Sequence, residues 1–198
     1  MTKVKICGLK TEQDIAFANA LQPDYIGFVF LKGRQRYVSF KEAAQLRALL
    51  SPSIPAVGVF VDEPVENVIS LLQEGAIQIV QLHGTEDISY VKTLKDAFDA
   101  PIIRAFQICS EKDVQDAFAF PADFPLLDNG KGTGETFDWS LMADLQKPFF
   151  LAGGLHADNV KEAITKFHPY AVDVSSGVET AGSKDFQKMK AFIDAVRR

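Results

Sequence analysis

Eight apolar runs of strand length recur through this chain, separated by stretches with helical spacing, and that alternation restricts the fold more than any other feature. The runs are V-K-I-C (4–7), Y-I-G-F-V-F (25–30), P-A-V-G-V-F-V (55–61), I-Q-I-V-Q-L-H (77–83), P-I-I-R-A-F-Q-I (101–108), F-P-L-L-D (124–128), F-F-L-A-G-G (149–154) and A-V-D-V-S-S (171–176). Most are rich in Val, Ile and Phe, as expected of strands buried on both faces of a parallel sheet. Between them, Val65, Val68, Ile69 and Leu72 fall on one helical stripe, as do Ile88, Val91, Leu94 and Phe98. Val160, Ala163, Ile164 and Phe167 form a third stripe, and Phe186, Met189, Ile193 and Val196 a fourth. Helix starts carry capping pairs, Thr11 with Asp14, Ser39 with Glu42 and Ser110 with Asp113. Asp62 reads as a further helix cap.

Eight strand and helix units with no break in composition predict a closed (β/α)8 TIM barrel, an α/β fold, over a single domain spanning 1–198. An open flavodoxin-like sheet would use only about five strands. The 198 residues are few for a barrel, whose usual length is about 250, so insertions must be small. The sixth unit holds the one conspicuous spare loop, D-N-G-K-G-T-G-E-T-F-D-W (128–139).

Charge and composition exclude several functions. A net charge of -5 and a pI near 5.2 argue against a protein that neutralises nucleic-acid phosphates. The start M-T-K-V-K-I-C-G-L-K is broken by charge, and no run approaches the roughly 20 apolar residues of a membrane span, so a soluble cytoplasmic protein is expected. Two cysteines, Cys7 and Cys109, without a secretory framework read as free thiols. Three histidines and two cysteines, with no pair at ligand spacing, offer no metal site.

In a barrel the working residues lie at the C-terminal ends of the strands. Those ends supply Cys7 and Gly8, the segment K-G-R-Q-R (32–36), Asp62, His83 and Gly84, Asp128, Gly153 and Gly154, and Asp173, Ser175, Ser176 and Gly177. A Gly-Gly turn after the seventh strand and Ser-Ser-Gly after the eighth would present backbone N–H groups, with a short helix start behind them, to a phosphate dianion. G-K-G-T-G (130–134) matches neither the nucleotide P-loop nor the dinucleotide fingerprint, and reads as a loop over the site. Cys7 itself has three readings on position alone: a small core residue, a nucleophile with His83 or His156, or a base.

Taken in order, K-I-C-G-L, Y-I-G-F-V-F with a following arginine, V-G-V-F-V, V-Q-L-H-G, L-L-D-N-G, G-T-G-E-T-F-D-W, L-A-G-G-L and V-D-V-S-S-G-V-E resemble the phosphoribosylanthranilate isomerase family over residues 4–179. The resemblance implies a cofactor-free Amadori rearrangement in tryptophan biosynthesis, acting on a small phosphorylated substrate. It casts Cys7 as general base and Asp128 as general acid. Arg36 would pair with the anthranilate carboxylate, Asp173 would orient groups around the sugar, and Gly153, Gly154, Ser176 and Gly177 would bind phosphate. His83 falls on the same rim as a substrate contact without an assigned role. Many members carry Ser or Thr where this chain has Arg34, so Arg34 competes with Arg36 for the carboxylate. A thiol of ordinary pKa about 8.5 needs a cation or helix start nearby to act as thiolate, and the acid needs desolvation or a neighbouring negative charge to hold its proton.

Rival readings are an indole-glycerol-phosphate synthase, which would want a catalytic lysine on a strand, and a ribulose-phosphate epimerase, which would want metal ligands. None of the eight runs ends in lysine. A catalytically silent phosphate-binding relative would need neither Cys7 nor Asp128. A monomer is expected rather than a homodimer.

Overall fold

The structure, a computed structural model, describes residues 1–128 and 147–198. Eight parallel strands close into a barrel in chain order: β1 (Lys3–Cys7), β2 (Tyr25–Val29), β3 (Ala56–Phe60), β4 (Ile79–Leu82), β5 (Ile102–Gln107), β6 (Phe124–Asp128), β7 (Phe150–Leu151) and β8 (Ala171–Val174). β8 returns to pair with β1, with Lys5 opposite Asp173, so the barrel has no exposed edge. Helices α1 (Glu12–Leu21), α2 (Phe40–Leu49), α3 (Val65–Gln73), α4 (Ile88–Ala97), α5 (Glu111–Ala119), α6 (Val160–Phe167) and α7 (Phe186–Arg197) form the outer ring. Among the described residues, no helix is long and apolar enough to cross a membrane.

Alternation along the strands sorts side chains to two sides. Val4, Ile6, Ile26, Phe28 and Phe60 join the main core with helix residues such as Ile15, Val68 and Phe192. Tyr25, Val57, Ile79, Ile103, Leu126, Phe150 and Ala171 form a second cluster inside the barrel. The interior is therefore packed, and chemistry is confined to the last inward positions of each strand.

All three predicted capping boxes are present: the Thr11, Ser39 and Ser110 hydroxyls accept from the amides of Asp14, Glu42 and Asp113, whose carboxylates bond back. Such caps contribute about 1 kcal/mol each. Asp62 is a correction. α3 is preceded by Pro64 without a side-chain cap, and Asp62, at φ 51°, instead accepts from the Thr85 amide and hydroxyl, tying the loop after β3 to the loop after β4. Ile88 also departs from expectation: it opens α4 with 59% of its surface exposed while Val91 and Leu94 are buried. The seventh strand is shorter than its apolar run, because Gly153 and Gly154 at φ 89° and 67° leave extended geometry. The spare sixth loop, from residue 129 onward, lies outside the described residues.

Two short strands follow a single 3₁₀ turn at Ser176–Val178: β9 (Glu179–Thr180) and β10 (Ser183–Lys184) form an antiparallel hairpin before α7. Strands of two residues carry no periodicity by which the amino-acid sequence could announce this hairpin.

Candidate active site

At the C-terminal end of the barrel a cleft of about 800 Å³ is lined by Cys7, Arg34, Arg36, His83, Asp128, Gly153, Gly154, Asp173 and Ser176. Gly177 is set behind this wall. A Cβ there would stand 2.0 Å from the Leu155 carbonyl oxygen, so glycine lets the turns after β7 and β8 touch.

Cys7 is the last residue of β1, and the inner-face alternation turns its thiol into the cleft. Its register partner on β2 is Gly27, where an added Cβ would lie 2.8 Å from Sγ. Glycine on the neighbouring strand thus makes the room the thiol occupies. Gly8 then turns the chain at φ 81°, and a Cβ on it would come within 2.4 Å of Arg36 Cδ. The Ser175 hydroxyl donates to the Cys7 carbonyl at 3.0 Å. Burial pushes the thiol pKa up, the Lys5 ammonium pulls it down, and the Asp173 carboxylate adds to the rise.

Arg36 crosses from the loop after β2 to the hairpin. Its Nε and Nη2 donate to Glu179 Oε1 and Oε2, both at 2.7 Å, in a bidentate fork. Lys184 donates to the same Glu179 Oε1 at 2.6 Å and to the Ser175 carbonyl at 3.0 Å. Burial pushes the Glu179 carboxyl up, and the bonds from Arg36 and Lys184 outweigh it and hold it below the usual range. The fork leaves Nη1 of Arg36 without a hydrogen bond to any described residue. Arg34 is exposed at the mouth of the same cleft.

Across the cleft, Asp128 ends β6, and His83 follows β4 with Nε2 3.9 Å from Asp128 Oδ2. The His83 ring opens onto the cleft while the surrounding walls desolvate it. That desolvation holds its pKa below the ordinary value against the pull of Asp128, so the ring is neutral at pH 7. Its Nδ1 lies 3.4 Å from Gln81 Nε2.

Around the rim the order is Asp128, then Gly153 and Gly154, then Ser176, then Cys7, then Arg36. The amides of Gly153, Gly154 and Ser176 donate to no described residue, while the Gly154 carbonyl is held by Asn159 at 2.9 Å. The helix start expected behind the eighth strand is only the three-residue 3₁₀ turn, so exposed amides rather than a helix dipole supply the positive potential there.

Four polar residues of this region escaped sequence reasoning. Lys5 and Gln81 are buried inside the barrel, and Glu179 and Lys184 hold the hairpin. Lys5 had a readable signal: it stands two residues before Cys7 on the same inner face of a buried strand. A shallower depression lined by Asp62, Glu63, Thr85, Glu86 and Tyr90 is held by internal bonds. There the Glu86 carboxylate takes the amides of Asp62 and Gly84 and the Arg104 guanidinium. Among the described residues, no group of three or more His, Cys, Asp or Glu is placed to hold a metal.

Fold and cleft together define a compact (β/α)8-barrel enzyme whose rim brings a thiol, carboxylates, an arginine and glycine turns to one site. Residues 4–195 match the family model of N-(5'-phosphoribosyl)anthranilate (PRA) isomerase, and the chain belongs to that family. It is 45% identical over 202 residues to N-(5'-phosphoribosyl)anthranilate isomerase of Endomicrobium trichonymphae, covering 100% of this chain and 99% of the relative. The fold resembles a phosphoribosyl anthranilate isomerase solved with reduced 1-(o-carboxyphenylamino)-1-deoxyribulose 5-phosphate, at TM-score 0.87 and 36% identity, covering 100% of this chain and 99% of that one. It equally resembles generated monomers of the dimeric enzyme from Thermotoga maritima, at TM-score 0.88 and 36% identity with the same coverage. Its activity is that isomerisation, a step of tryptophan biosynthesis.

Proposed function

We propose that the chain rearranges N-(5-phosphoribosyl)anthranilate to 1-(2-carboxyphenylamino)-1-deoxyribulose 5-phosphate without a cofactor, Cys7 acting as general base and Asp128 as general acid. Asp128 gives a proton to the furanose ring oxygen as the C1–O bond breaks, and the nitrogen lone pair forms the C1–N double bond of a Schiff base. The Cys7 thiolate then takes the proton from C2, and the C2 electron pair forms the C1–C2 double bond of an enaminol as nitrogen regains its lone pair. Loss of the hydroxyl proton and protonation at C1 give the ketone. Reactant and product are isomers, and each proton given is matched by one taken.

The observation that carries this reading is the rim order: base and acid stand on either side of the glycine turns after β7 and β8. A phosphate bound by the amides of Gly153, Gly154 and Ser176, with Gly177 permitting their close approach, would hold the sugar between the two groups. Arg36 takes the anthranilate carboxylate through its open Nη1, with Glu179 fixing the guanidinium plane. Asp173 accepts from a sugar hydroxyl through Oδ1, which is buried and has no partner among the described residues. Neutral His83 lines the wall beside Asp128. The assembly is a monomer, a reading supported by the scatter of exposed large apolar side chains among the described residues, Met1, Leu49 and Ile88, over three separate places.

The test is direct. Purified protein mixed with freshly prepared N-(5-phosphoribosyl)anthranilate, without metal or nucleotide, should give the aminoketose phosphate by chromatography. Absence of product from folded protein would overturn the reading and leave a silent binder.

A further inference from the structure

Lys5 is fully buried, at 0% exposure, in the wall of a barrel otherwise lined by residues such as Tyr25, Val57, Ile103 and Leu126. Its Nζ donates to Asp173 Oδ2 at 2.7 Å, across the β1–β8 pairing in which the two residues are register partners. Stability does not account for such a pair. Desolvating two charges costs about as much as their attraction returns, and apolar replacements of equal volume are commonly neutral or stabilising. The pair therefore calls for a functional reason. An ammonium has three N–H donors, and Asp173 takes one. Two residues further along the same inner face stands the Cys7 thiol, close enough for the Lys5 charge to act on it.

We infer that Lys5 is a positioning residue for the isomerisation: its buried ammonium, anchored by Asp173, is the counter-charge of the Cys7 thiolate. The inference rests on the proposed role of Cys7 as base. The charged groups facing the thiol are Lys5 on β1, Asp173 on β8, Lys184 on β10 and Arg36 after β2, with His83 on the opposite wall. Lys184 and Arg36 are both committed to Glu179, and Lys3, at the far end of β1, to Tyr25, which leaves Lys5 as the cation beside the thiol on its own strand. Of the charges around it, Lys5 does most to offset the thiol's burial, and Asp173 opposes it. The same ammonium keeps one oxygen of Asp173 occupied and turns the other, Oδ1, free for substrate.

The two members of the pair should therefore move the thiol in opposite directions. In a Cys109→Ser background, which removes the exposed thiol, thiolate formation at Cys7 is followed by ultraviolet absorbance against pH, with the variant also lacking Cys7 as blank. Lys5→Met should raise the midpoint by about one to three pH units, Asp173→Asn should lower it, and Lys5→Arg should restore it towards the parent value. The rising limb of the kcat/KM profile should follow each midpoint. Unmoved midpoints, or movement of both variants in the same direction, would overturn the inference. Should Lys5→Met fail to fold, Asp173→Asn decides alone, since it nearly preserves shape and only a fall in the midpoint supports the pairing. The titration uses no substrate, so its outcome is separate from that of the base assignment. Full turnover in Cys7→Ala would remove the base, whereas unmoved midpoints with an inactive Cys7→Ala would remove only the role of Lys5.

Discussion

At the residue scale, the site depends on what is absent beside Cys7 as much as on the thiol. Gly27 is the clearest case, because any side chain there would meet Sγ at 2.8 Å and the Cys7 Cα at 3.2 Å. Gly27→Ala should cost about 1–3 kcal/mol by overpacking and lower turnover by displacing the thiol, read from denaturant midpoints and kcat. Unchanged kcat would mean that the strands part without moving Sγ. The two arginines separate in the same manner. Arg36 is half-buried and held in a bidentate fork, whereas Arg34 is exposed at the rim. Arg36→Ala should raise KM at least tenfold, the equivalent of about 1.4 kcal/mol of lost binding, with a smaller change in kcat, and Arg34→Ala should leave KM within about twofold. The reverse pattern would transfer the carboxylate to Arg34. That Cys7, Asp128 and the glycine turns would gather on one rim was legible in the sequence, because strand ends in a barrel are where functional groups collect, whereas their expected roles came only with the family resemblance. Lys5 was missed although its spacing from Cys7 put it on the same inner face, because its partner Asp173 stands opposite it only once β8 is seen to pair with β1.

At the element scale, the hairpin of β9 and β10 acts as a clip over the rim. Glu179 joins it to Arg36 and, within the hairpin, bonds Lys184, which reaches the carbonyl of Ser175, whose hydroxyl holds the Cys7 carbonyl. The clip should be acid-labile in a definite sense. The folded-state pKa of Glu179 is depressed, so its contribution is fully present above the ordinary glutamate value of about 4.3 and is lost as pH falls through the lower folded value. The wild type should lose more stability across that acid window than Glu179→Gln, measured as denaturant midpoints against pH, and parallel profiles would show that the clip carries no linked proton. Glu179→Gln should also raise KM, because Arg36 loses its charged partner. Strands and helices were readable from period and capping, with boundaries shifted where glycine backbone ended a run early, as at Gly153 and Gly154. The hairpin was unreadable because its strands are only two residues long and the arginine that anchors it, Arg36, lies 143 residues away in the chain.

At the scale of the whole molecule, a small barrel solves an acid–base problem by distributing its groups around one rim. In the proposed reading the base comes from the first strand, the acid from the sixth, and the backbone amides between them from the turns after the seventh and eighth, all of which line one cleft. Closure of β8 onto β1 is what brings Asp173 and Ser175 to Cys7, so the thiol's surroundings exist only in the folded barrel. Burial raises the thiol's pKa, so kcat/KM should climb with pH through neutrality toward a thiolate-limited plateau. The most direct test of the account is the kcat of Cys7→Ser and Asp128→Asn beside the wild type, together with product affinity. Each variant should lose turnover by several orders of magnitude, at least about a thousandfold, while binding product within a few-fold of the wild type. Turnover near the wild-type level in either variant would contradict the assignment of proton transfer to that pair.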